Sequence, residues 1–267
     1  MIFSVLMSVY VKENPFLLDY SLFSIWDQQS YKPGQIVLVK DGELTPELDF
    51  IIAQWQENLG EMMTLVVLPE NIGLGAALNE GLKFCKYELV ARMDTDDISL
   101  TDRFEKQVAF MKARPEVAVC SGVIEEVDEA GIFIAHRILP LEHSELVRFA
   151  GTRCPISHPA AMFRKKAVFA VGCYPDFYPE DYLLWIKLIQ ADYKIANLPD
   201  VLVKMRTGHD FYTRRGWRFL KGEVGVYRHM HRTQFIGLFQ FTVVVLMKTV
   251  LRLSPVFLKA LMYKLAR

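Results

Sequence analysis

The amino-acid sequence predicts an α/β protein built around a largely parallel sheet. Short apolar runs alternate with helical patterns along the first half of the chain, and most of these runs end in a polar residue. Alternation of strands and helices is typical of parallel sheets with right-handed crossovers. Of the 267 residues, 52% are hydrophobic and 12% are aromatic, which is enough to bury a large core.

The first hundred residues contain four strand-like runs. Each is nearly continuous in apolar residues, as expected of strands buried on both faces. We predict these strands at residues 2–10, 35–42, 62–71 and 87–94. Helices are predicted between them at residues 15–29, near 46–59 and at 73–85. Asn14 and Pro15 support the first helix, because Asn caps helix N-termini and Pro fits the first helical position.

The second half is less regular and predicts mixed strands that extend the sheet. Thr101 is a candidate N-cap for a helix that runs to about Ala113. A strand at 116–122 is followed by a hairpin that turns at residues 129–131. The remaining predicted elements are a helix near 143–150, a strand at 160–165 and a helix from Asp181 to about Ala191.

The charges are unevenly distributed, although the formal net charge of the whole chain is zero. Residues 204–267 hold 13 Lys and Arg against two acids, so residues 1–203 are acidic by the same excess. A basic segment suits anionic partners such as phosphates or lipid head groups. Here it is interleaved with long aliphatic runs rather than a groove-reading motif, so nucleic acid is not a predicted partner.

The cysteines and the N-terminus favour a cytosolic protein. Four cysteines lie far apart, without a Cys-x-x-Cys pair or a histidine at zinc-ligand spacing, which is typical of reduced thiols. The first 15 residues lack a basic region and a small-residue cleavage site. They therefore predict a first strand rather than a signal peptide.

Polar residues follow the ends of the four predicted strands. Ser8 and Tyr10 end the first strand, Asp41 ends the second, Asn71 follows the third, and Asp94 ends the fourth. Ligands of open α/β sheets bind outside the carboxyl ends of the strands. Each residue alone also fits a plain turn, and for Asp41 the two interpretations are about equal. Their common edge favours a binding site.

Three carboxylates, Asp94, Asp96 and Asp97, crowd the end of the fourth strand. A turn with a helix cap would need only one of them, and three would repel one another. Mg²⁺ and Mn²⁺ prefer oxygen ligands and are usually held by one or two carboxylates together with substrate phosphates. The cluster therefore predicts a divalent metal that also binds a phosphorylated substrate.

Two further segments could contribute to such a site. Glu180 and Asp181 open an apolar helix, where acids are favoured by the helix dipole, and an ionised Asp181 could also act as a general base. Arg206, Arg214 and Arg215 lie in a basic segment, and arginine suits bidentate phosphate binding. A good first helical turn and a solvated basic loop are the plain alternatives.

Taken together and in order, these segments resemble the family-two glycosyltransferases of the GT-A fold. The resemblance covers about residues 1–215. It is similar to the bacterial O-antigen and exopolysaccharide enzymes that extend a lipid-linked sugar. The segments that carry it are SVLMSVY, IVLVKDG, NIGLGAALNEG, ARMDTDDISLTDRFEKQ, ISHPAAMFRK and YPEDYLLWIKL.

The resemblance implies a UDP-sugar donor, Mn²⁺ or Mg²⁺, and inversion at the anomeric carbon. Ser8, Tyr10 and Asp41 would hold the uridine. Asn71, Arg206, Arg214 and Arg215 are further candidates for binding the nucleotide sugar. Asp94 would meet the ribose and Asp96 the metal, with Asp97 in support. Asp181, from the Glu180–Asp181 pair, would deprotonate the acceptor hydroxyl.

The sequence departs from the family pattern at two places. Many relatives have Asp-Asp-Gly-Ser where this chain has Lys40 to Glu43, so only Asp41 carries over. Many have arginine before the final asparagine of the glycine-rich segment, where this chain has Leu78. Both differences concern the recognition of uracil.

The C-terminal segment allows two interpretations. Residues 235–247 are thirteen uncharged residues, too few for the roughly twenty that span a bilayer. Lys248 and Arg252 follow at helical spacing, and a basic amphipathic segment of this type would lie among lipid head groups. Helices that pack on the catalytic domain are the alternative.

The sequence thus predicts a GT-A catalytic domain at 1–205 and a basic loop with a membrane-associating helical tail at 206–267. Residues 1–100 would form the nucleotide-sugar half, and 101–205 the acceptor half. The predicted enzyme works at the cytoplasmic face of a bacterial inner membrane. It would transfer galactose or glucose to an undecaprenyl-diphosphate-linked sugar, forming a β-glycoside. A non-catalytic, membrane-associated nucleotide-sugar binder is the alternative.

Overall fold

The computed structural model describes residues 1–208 and 216–255. These residues form one mixed sheet of nine strands, with helices on both faces. The strands are β1 Phe3–Val9, β2 Gln35–Lys40, β3 Met63–Val67, β4 Leu89–Arg92, β5 Ile98–Ser99, β6 Val117–Val127, β7 Phe133–Arg137, β8 Met162–Arg164 and β9 Lys194–Arg206. The helices are α1 Pro15–Trp26, α2 Pro46–Leu59, α3 Leu74–Phe84, α4 Arg103–Ala113, α5 His143–Ala150, α6 Lys165–Ala170, α7 Glu180–Gln190, α8 Trp217–Arg232 and α9 Leu238–Leu253.

The sheet joins a parallel half to a mixed half. The spatial order is β3, β2, β1, β4, β8, β6, β9, β5, and β7 forms a hairpin with β6. Strands β1 to β4 are mutually parallel, β8 runs antiparallel to both β4 and β6, and β6 pairs parallel with β9. The carboxyl ends of β1, β2 and β4 therefore lie at one edge, as predicted.

Local capping explains where the first helices begin. The side-chain oxygen of Asn14 accepts hydrogen bonds from the amides of Phe16 (2.9 Å) and Leu17 (3.4 Å), which confirms the predicted cap of α1. Thr45 caps α2 in the same way through the amide of Leu48 at 3.3 Å. Both helices then have proline in their first turn, where no amide donor is needed.

The predicted cap of α4 by Thr101 is wrong. The helix begins at Arg103 after Asp102, and no side chain caps it. The preceding residues instead form the short strand β5 against β9, and the carbonyl of Thr101 accepts a hydrogen bond from Ser30. This tertiary pairing holds the chain in place before the helix starts.

Strand β9 is the main element that the sequence prediction missed. It spans 13 residues but contains Pro199 and Asp200, which interrupt its apolar pattern. Its pairing with β6 shifts register at this point, between Ser121 and Val123. The irregularity accommodates the proline, because a residue without an amide donor is tolerated at a bulge.

Two apolar cores cover the two faces of the sheet. One contains α1, α2 and α4, with Leu22, Ile52 and Phe104 buried against β1 and β2. The other contains α3 and α7, and α8 and α9 join it through residues such as Tyr227 and Val244. The C-terminal helices therefore pack on the catalytic sheet. Within the described residues, no helix is long and apolar enough to cross a bilayer.

Candidate active site

The acidic segment after β4 turns at Thr95 and Asp96, and its residues alternate between half-buried and buried. Asp94 and Asp96 are half-buried, whereas Thr95 and Asp97 are 3% and 2% exposed. The hydroxyl of Ser21 donates to the carbonyl of Asp94 at 2.9 Å and thereby ties the segment to α1.

A buried arginine that the sequence analysis did not select underlies this segment. Arg92, at the end of β4, is 1% exposed, and its Nη1 lies 2.5 Å from Asp94 Oδ1. A second buried arginine, Arg103, donates to the carbonyl of Arg92 at 2.7 Å and to Met93 Sδ at 3.1 Å. The two guanidinium groups fix the backbone immediately before the acidic cluster and offset its negative charge.

Asp97 lies beneath the cluster and connects it to β9. Its Oδ1 accepts a hydrogen bond from the amide of Arg206 at 2.9 Å, while its buried Oδ2 has no hydrogen-bond partner among the described residues. Burial and the charges of Asp96 and Asp94 raise the pKa of Asp97 well above its usual value. The Arg206 side chain turns away and donates to the carbonyl of Glu129 at 3.1 Å.

Glu13 adds a fourth carboxylate from the loop after β1. Burial, together with the charges of Asp96 and Asp94, raises its pKa from 4.5 to about 7. The only available sequence signal was its place at the carboxyl end of the first strand, next to Asn14 and Pro15. Its proximity to the acidic segment depends on the parallel arrangement of β1 and β4.

This arrangement fits a divalent cation that is completed by substrate oxygens. The buried Oδ2 of Asp97 has no hydrogen-bond partner among the described residues, and burial, followed by the charges of Asp96 and Asp94, raises the pKa values of Asp97 and Glu13. Within the described residues, however, no three His, Cys, Asp or Glu side chains converge to hold a metal by themselves. Asp94 is paired with Arg92 and Asp97 with the Arg206 amide, so the three carboxylates are not arranged as one set of ligands.

Asp41 and Asn71, both predicted to hold the nucleotide, bind each other and the glycine-rich loop. Asp41 Oδ1 accepts from the Ile72 amide at 2.7 Å, and Oδ2 accepts from the Gly73 amide at 3.1 Å. Asn71 Nδ2 donates to the same Oδ2 at 3.0 Å. Gly42 permits this contact, because a Cβ there would meet the Asn71 amide at 2.7 Å. Asp41 thus occupies the amides of Ile72 and Gly73 at the entrance of α3.

Glu180 and Asp181 begin α7 and face a shared cavity. Asp181 is half-buried: its Oδ2 accepts from the Cys154 thiol at 3.5 Å and its Oδ1 from the Tyr182 amide at 2.8 Å. Burial raises the pKa of Asp181. Burial and the neighbouring Asp181 charge raise the pKa of Glu180 to about 7. Both carboxyl groups therefore gain protons more readily than in water.

A cavity of about 580 Å³ brings the two acidic regions together. Asp94 and Arg92 line it from β4, and Glu180 and Asp181 line it from α7. His158 also contributes: burial lowers its pKa well below its usual value, and its Nε2 lies 3.0 Å from the Tyr174 hydroxyl. The cavity thus contains Asp94, which is paired with Arg92, and the carboxyl groups of Glu180 and Asp181, which can accept a proton.

For the remaining predicted site residues, the structure gives the position of Ser8 and Tyr10 only. Ser8 is half-buried near the end of β1, and Tyr10 follows it at the surface with 36% exposure. Both are at the predicted sheet edge, and their contacts with a nucleotide stay predictions. Arg214 and Arg215 lie outside the described residues.

A comparison of the sequence with known protein families agrees with this site. Residues 4–172 match the model of glycosyl transferase family 2. The chain belongs to this family. Its β1–β4 half, the acidic segment and β8 all fall within the matched residues. Helices α7 to α9 lie beyond them, so the Glu180–Asp181 pair and the C-terminal helices are assigned from the structure of this chain.

Two curated relatives extend over nearly the whole chain. The amylovoran biosynthesis glycosyltransferase AmsE of Erwinia amylovora is 40% identical over 266 residues, covering 98% of each chain. The Escherichia coli UDP-Gal:alpha-D-GlcNAc-diphosphoundecaprenol beta-1,3-galactosyltransferase is 34% identical over 98% of this chain and 95% of its own. Both relatives are bacterial glycosyltransferases, and the name of the second specifies a UDP-galactose donor and a diphosphoundecaprenol-linked acceptor.

A solved structure confirms the predicted fold class. The mannosyltransferase PcManGT from Pyrobaculum calidifontis, in complex with GDP-Man and Mn²⁺, superposes with a TM-score of 0.63. It covers 94% of this chain and 70% of its own at 17% identity. At this identity the likeness concerns the fold, which is the GT-A arrangement of the glycosyltransferases.

Proposed function

We propose that this enzyme transfers a hexose, galactose or glucose, from a UDP-sugar to a polyprenyl-diphosphate-linked sugar such as GlcNAc-diphospho-undecaprenol. The observation that carries the proposal is the cavity in which Asp94 and the Glu180–Asp181 pair meet. The substrate class is supported by the galactosyltransferase relative at 34% identity, whose name specifies that donor and acceptor. The product would be a β-glycoside in the assembly of a polysaccharide repeat unit.

Asp181 is the proposed general base. It lines the cavity, and its Oδ2 accepts a hydrogen bond from the Cys154 thiol. Deprotonation of that hydroxyl makes the oxygen nucleophilic enough to displace the UDP group from the anomeric carbon in one step, with inversion. Glu180, the other acid of the pair, is 8% exposed, and burial and the Asp181 charge raise its pKa to about 7.

The donor would bind along the sheet edge that holds the acidic segment. Asp94 is proposed to contact the ribose, while Ser8 and Tyr10 line the uridine side, with Asp41 positioning the loop next to them. Asp96 is proposed as the protein ligand of Mn²⁺ or Mg²⁺, with Asp97 behind it. The metal would supply charge neutralisation for the leaving diphosphate.

The C-terminal helix α9 is proposed to rest on the cytoplasmic face of the bacterial inner membrane. The expectation that Lys248 and Arg252 face lipid head groups is corrected by the structure, because both contact the buried Glu223. The opposite face of α9 is apolar and exposed, with Phe239 at 84% and Leu246 at 65% exposure. Exposed apolar side chains at helical spacing suit insertion into the interfacial region of a bilayer.

The deciding experiment measures UDP release from a panel of UDP-sugars with Mn²⁺, with and without a synthetic GlcNAc-diphospho-lipid. Acceptor-dependent release from one donor, lost with EDTA and in Asp96→Ala, would support the proposed reaction and identify the sugar. Asp181→Asn should lower kcat by about 10²- to 10⁴-fold while retaining UDP-sugar binding. Tight binding of a UDP-sugar without release to any acceptor would instead favour a non-catalytic binding protein.

A further inference from the structure

Arg92 lines the cavity together with both acidic regions of the site. Its side chain is 1% exposed, and its backbone is fixed on both sides. On one side Arg92 pairs with Leu6 of β1, and on the other its amide donates to the carbonyl of Ala161 at 2.8 Å. A side chain enclosed in this way has little conformational freedom, so its positive charge has a fixed place in the cavity.

The contact between Arg92 and Asp94 leaves this charge available to other groups. Nη1 lies 2.5 Å from Asp94 Oδ1, but neither Nη1 nor Nε of Arg92 has an aligned hydrogen-bond partner among the described residues. The contact is therefore an ion pair through one oxygen, and it lacks the two parallel hydrogen bonds of a bidentate arginine–carboxylate pair. One guanidinium can thus stabilise more than one carboxylate.

Five carboxylates of the described chain line the cavity, and three of them have a cation of their own. The ion pairs join Asp94 to Arg92, Glu126 to Arg137, and Glu223 to Lys248 and Arg252. The other two are Glu180 and Asp181, and no ion pair joins either of them to a cation within residues 1–208 and 216–255. Buried carboxylates without an ion pair are costly to ionise, although a general base must be ionised to accept a proton.

The Glu180–Asp181 pair depends on polar contacts and on the charge of Arg92. Burial raises the pKa of Glu180, and the Asp181 charge raises it further, whereas the Arg92 charge lowers it and the Asp94 charge raises it. For Asp181, burial again raises the pKa, and the Cys154 thiol and the Arg92 charge lower it. Arg92 therefore favours the ionised form of both members of the pair.

The other titratable groups that face the pair carry no charge near neutral pH. Burial lowers the pKa of His158 well below its usual value and raises that of Tyr174, and the two side chains are 3.0 Å apart. Burial also raises the pKa of the Cys154 thiol. The remaining basic side chains that line the cavity are His136 of β7 and Arg153 of the loop after α5. Among the described cations, the largest effect on both members of the pair comes from Arg92.

We propose that Arg92 is a positioning residue of the transfer reaction, which holds Asp94 at the sheet edge and supplies the positive charge that stabilises the ionised Glu180–Asp181 pair. This role rests on the proposed function, because Arg92 acts through the ribose contact of Asp94 and through the base Asp181. A single buried cation would then serve the donor side and the acceptor side of the cavity. Its loss should affect donor binding and the protonation of the base together.

Full-length variants separate the charge of Arg92 from its place in the fold. Arg92→Gln removes the charge but keeps an amide that can donate to Asp94, and Arg92→Met is a second neutral variant without a donor. Arg92→Lys retains a cation. Arg103→Gln is the matched control, because Arg103 is equally buried and donates to the Arg92 carbonyl at 2.7 Å but is not among the residues that line the cavity. Circular dichroism verifies that each protein is native.

The pH dependence of kcat/KM with a UDP-sugar and GlcNAc-diphospho-lipid is the first measurement. We expect Arg92→Gln to move the acidic limb to higher pH by about one unit, because a nearby opposite charge lowers a carboxyl pKa by about 1–3 units. Arg92→Lys should restore most of this shift, and Arg103→Gln should leave the limb in place. An unmoved limb in native Arg92→Gln and Arg92→Met, or an equal shift in Arg103→Gln, would overturn the proposal.

Donor binding tests the other half of the role. Arg92→Met cannot hold Asp94, so it should raise the KM for the UDP-sugar by roughly 10-fold, whereas Arg92→Gln should raise it less. A KM that is unchanged in Arg92→Met would contradict the contact with Asp94 as a means of positioning the donor.

Stability measurements test the charge effect even when no transfer is observed. Burial raises the pKa of Glu180 from 4.5 to about 7, so the pair costs stability as the pH rises through this interval. Loss of the Arg92 charge raises this pKa further, and Arg92→Gln should therefore lower the urea midpoint more at pH 8 than at pH 5. The excess should vanish in a Glu180→Gln, Asp181→Asn background. That background keeps Glu13 and Asp97, where burial raises the pKa and Arg92 opposes it.

The outcomes of the stability measurement are distinct. An excess that persists in the Glu180→Gln, Asp181→Asn background would assign the Arg92 charge to Glu13 or Asp97 and refute the proposal. An excess that vanishes there supports the role of Arg92. If the wild-type protein then shows no transfer to any acceptor, only the proposed reaction is rejected.

Discussion

Replacing Asp41 by asparagine tests whether this residue organises the glycine-rich loop or mainly contacts the nucleotide. The carboxylate accepts hydrogen bonds from the amides of Ile72 and Gly73 and from the side chain of Asn71. An asparagine of the same shape can keep one acceptor oxygen, but its amide nitrogen would face the other two donors. Because Asp41 is 3% exposed, water would not replace the lost contacts easily.

The expected cost follows from these contacts. A hydrogen bond to a charged group contributes about 1.5–3 kcal/mol, so the loss of two should lower the free energy of unfolding by about 3 kcal/mol or more. Urea denaturation measures this change, and the KM for the UDP-sugar should rise as the loop loosens. Asp49→Asn is the control: it makes the same substitution at a surface ion pair with Lys40, where about 0–1 kcal/mol is expected.

Two results would refute this reasoning. A stability loss no larger in Asp41→Asn than in Asp49→Asn would mean that the three contacts contribute little to the fold. A raised KM for the UDP-sugar with unchanged stability would assign Asp41 to the nucleotide alone. The turn and the ligand interpretations, which the sequence leaves about equal, are separated by this pair of measurements.

The other predictions concern the base and the membrane. Because burial and the Asp181 charge raise the pKa of Glu180 to about 7, and burial raises the pKa of Asp181, kcat/KM should fall as the pH drops below neutrality, where the Glu180–Asp181 pair gains a proton; a flat profile from pH 5 to 8 would contradict a role for the ionisation of this pair. The Cys154 thiol lowers the pKa of Asp181, so Cys154→Ala should move this acidic limb to higher pH, and a shift to lower pH would contradict the contact. In vesicle sedimentation, Phe239→Asp should reduce binding strongly, whereas Phe16→Asp, at the same 84% exposure but on α1, should not; equal effects would show that α9 is not the contact face.

Local signals in the sequence predicted most of the parallel half of the fold. The caps at Asn14 and Thr45 act within a few residues, so helices α1 and α2 begin where the sequence places them. Buried strands such as β1 and β2 are recognisable in the sequence by their continuous apolar residues. Strand β9 is not recognisable in this way, because Pro199 breaks its apolar pattern. The proline is tolerated because the pairing of β9 with β6 is irregular at this point.

The sequence by itself determined the family, since its motifs are short segments with a characteristic order, and it predicted the acidic cluster at Asp94 to Asp97 and the Glu180–Asp181 pair as site residues. The tertiary structure decided which charges meet. Glu13 joins the cluster because β1 and β4 are adjacent and parallel, a pairing that the linear sequence does not encode in any one segment, and burial holds Arg92 against Asp94.

The same distinction applies to the C-terminal helices. Helical spacing placed Lys248 and Arg252 on one face, but spacing alone does not say what that face contacts. Glu223, on the preceding helix α8, forms ion pairs with both cations on the buried side of α9, because a buried carboxylate needs positive partners. The apolar face of α9 is thereby turned outward, and the cations reach the cavity where the acceptor is proposed to bind.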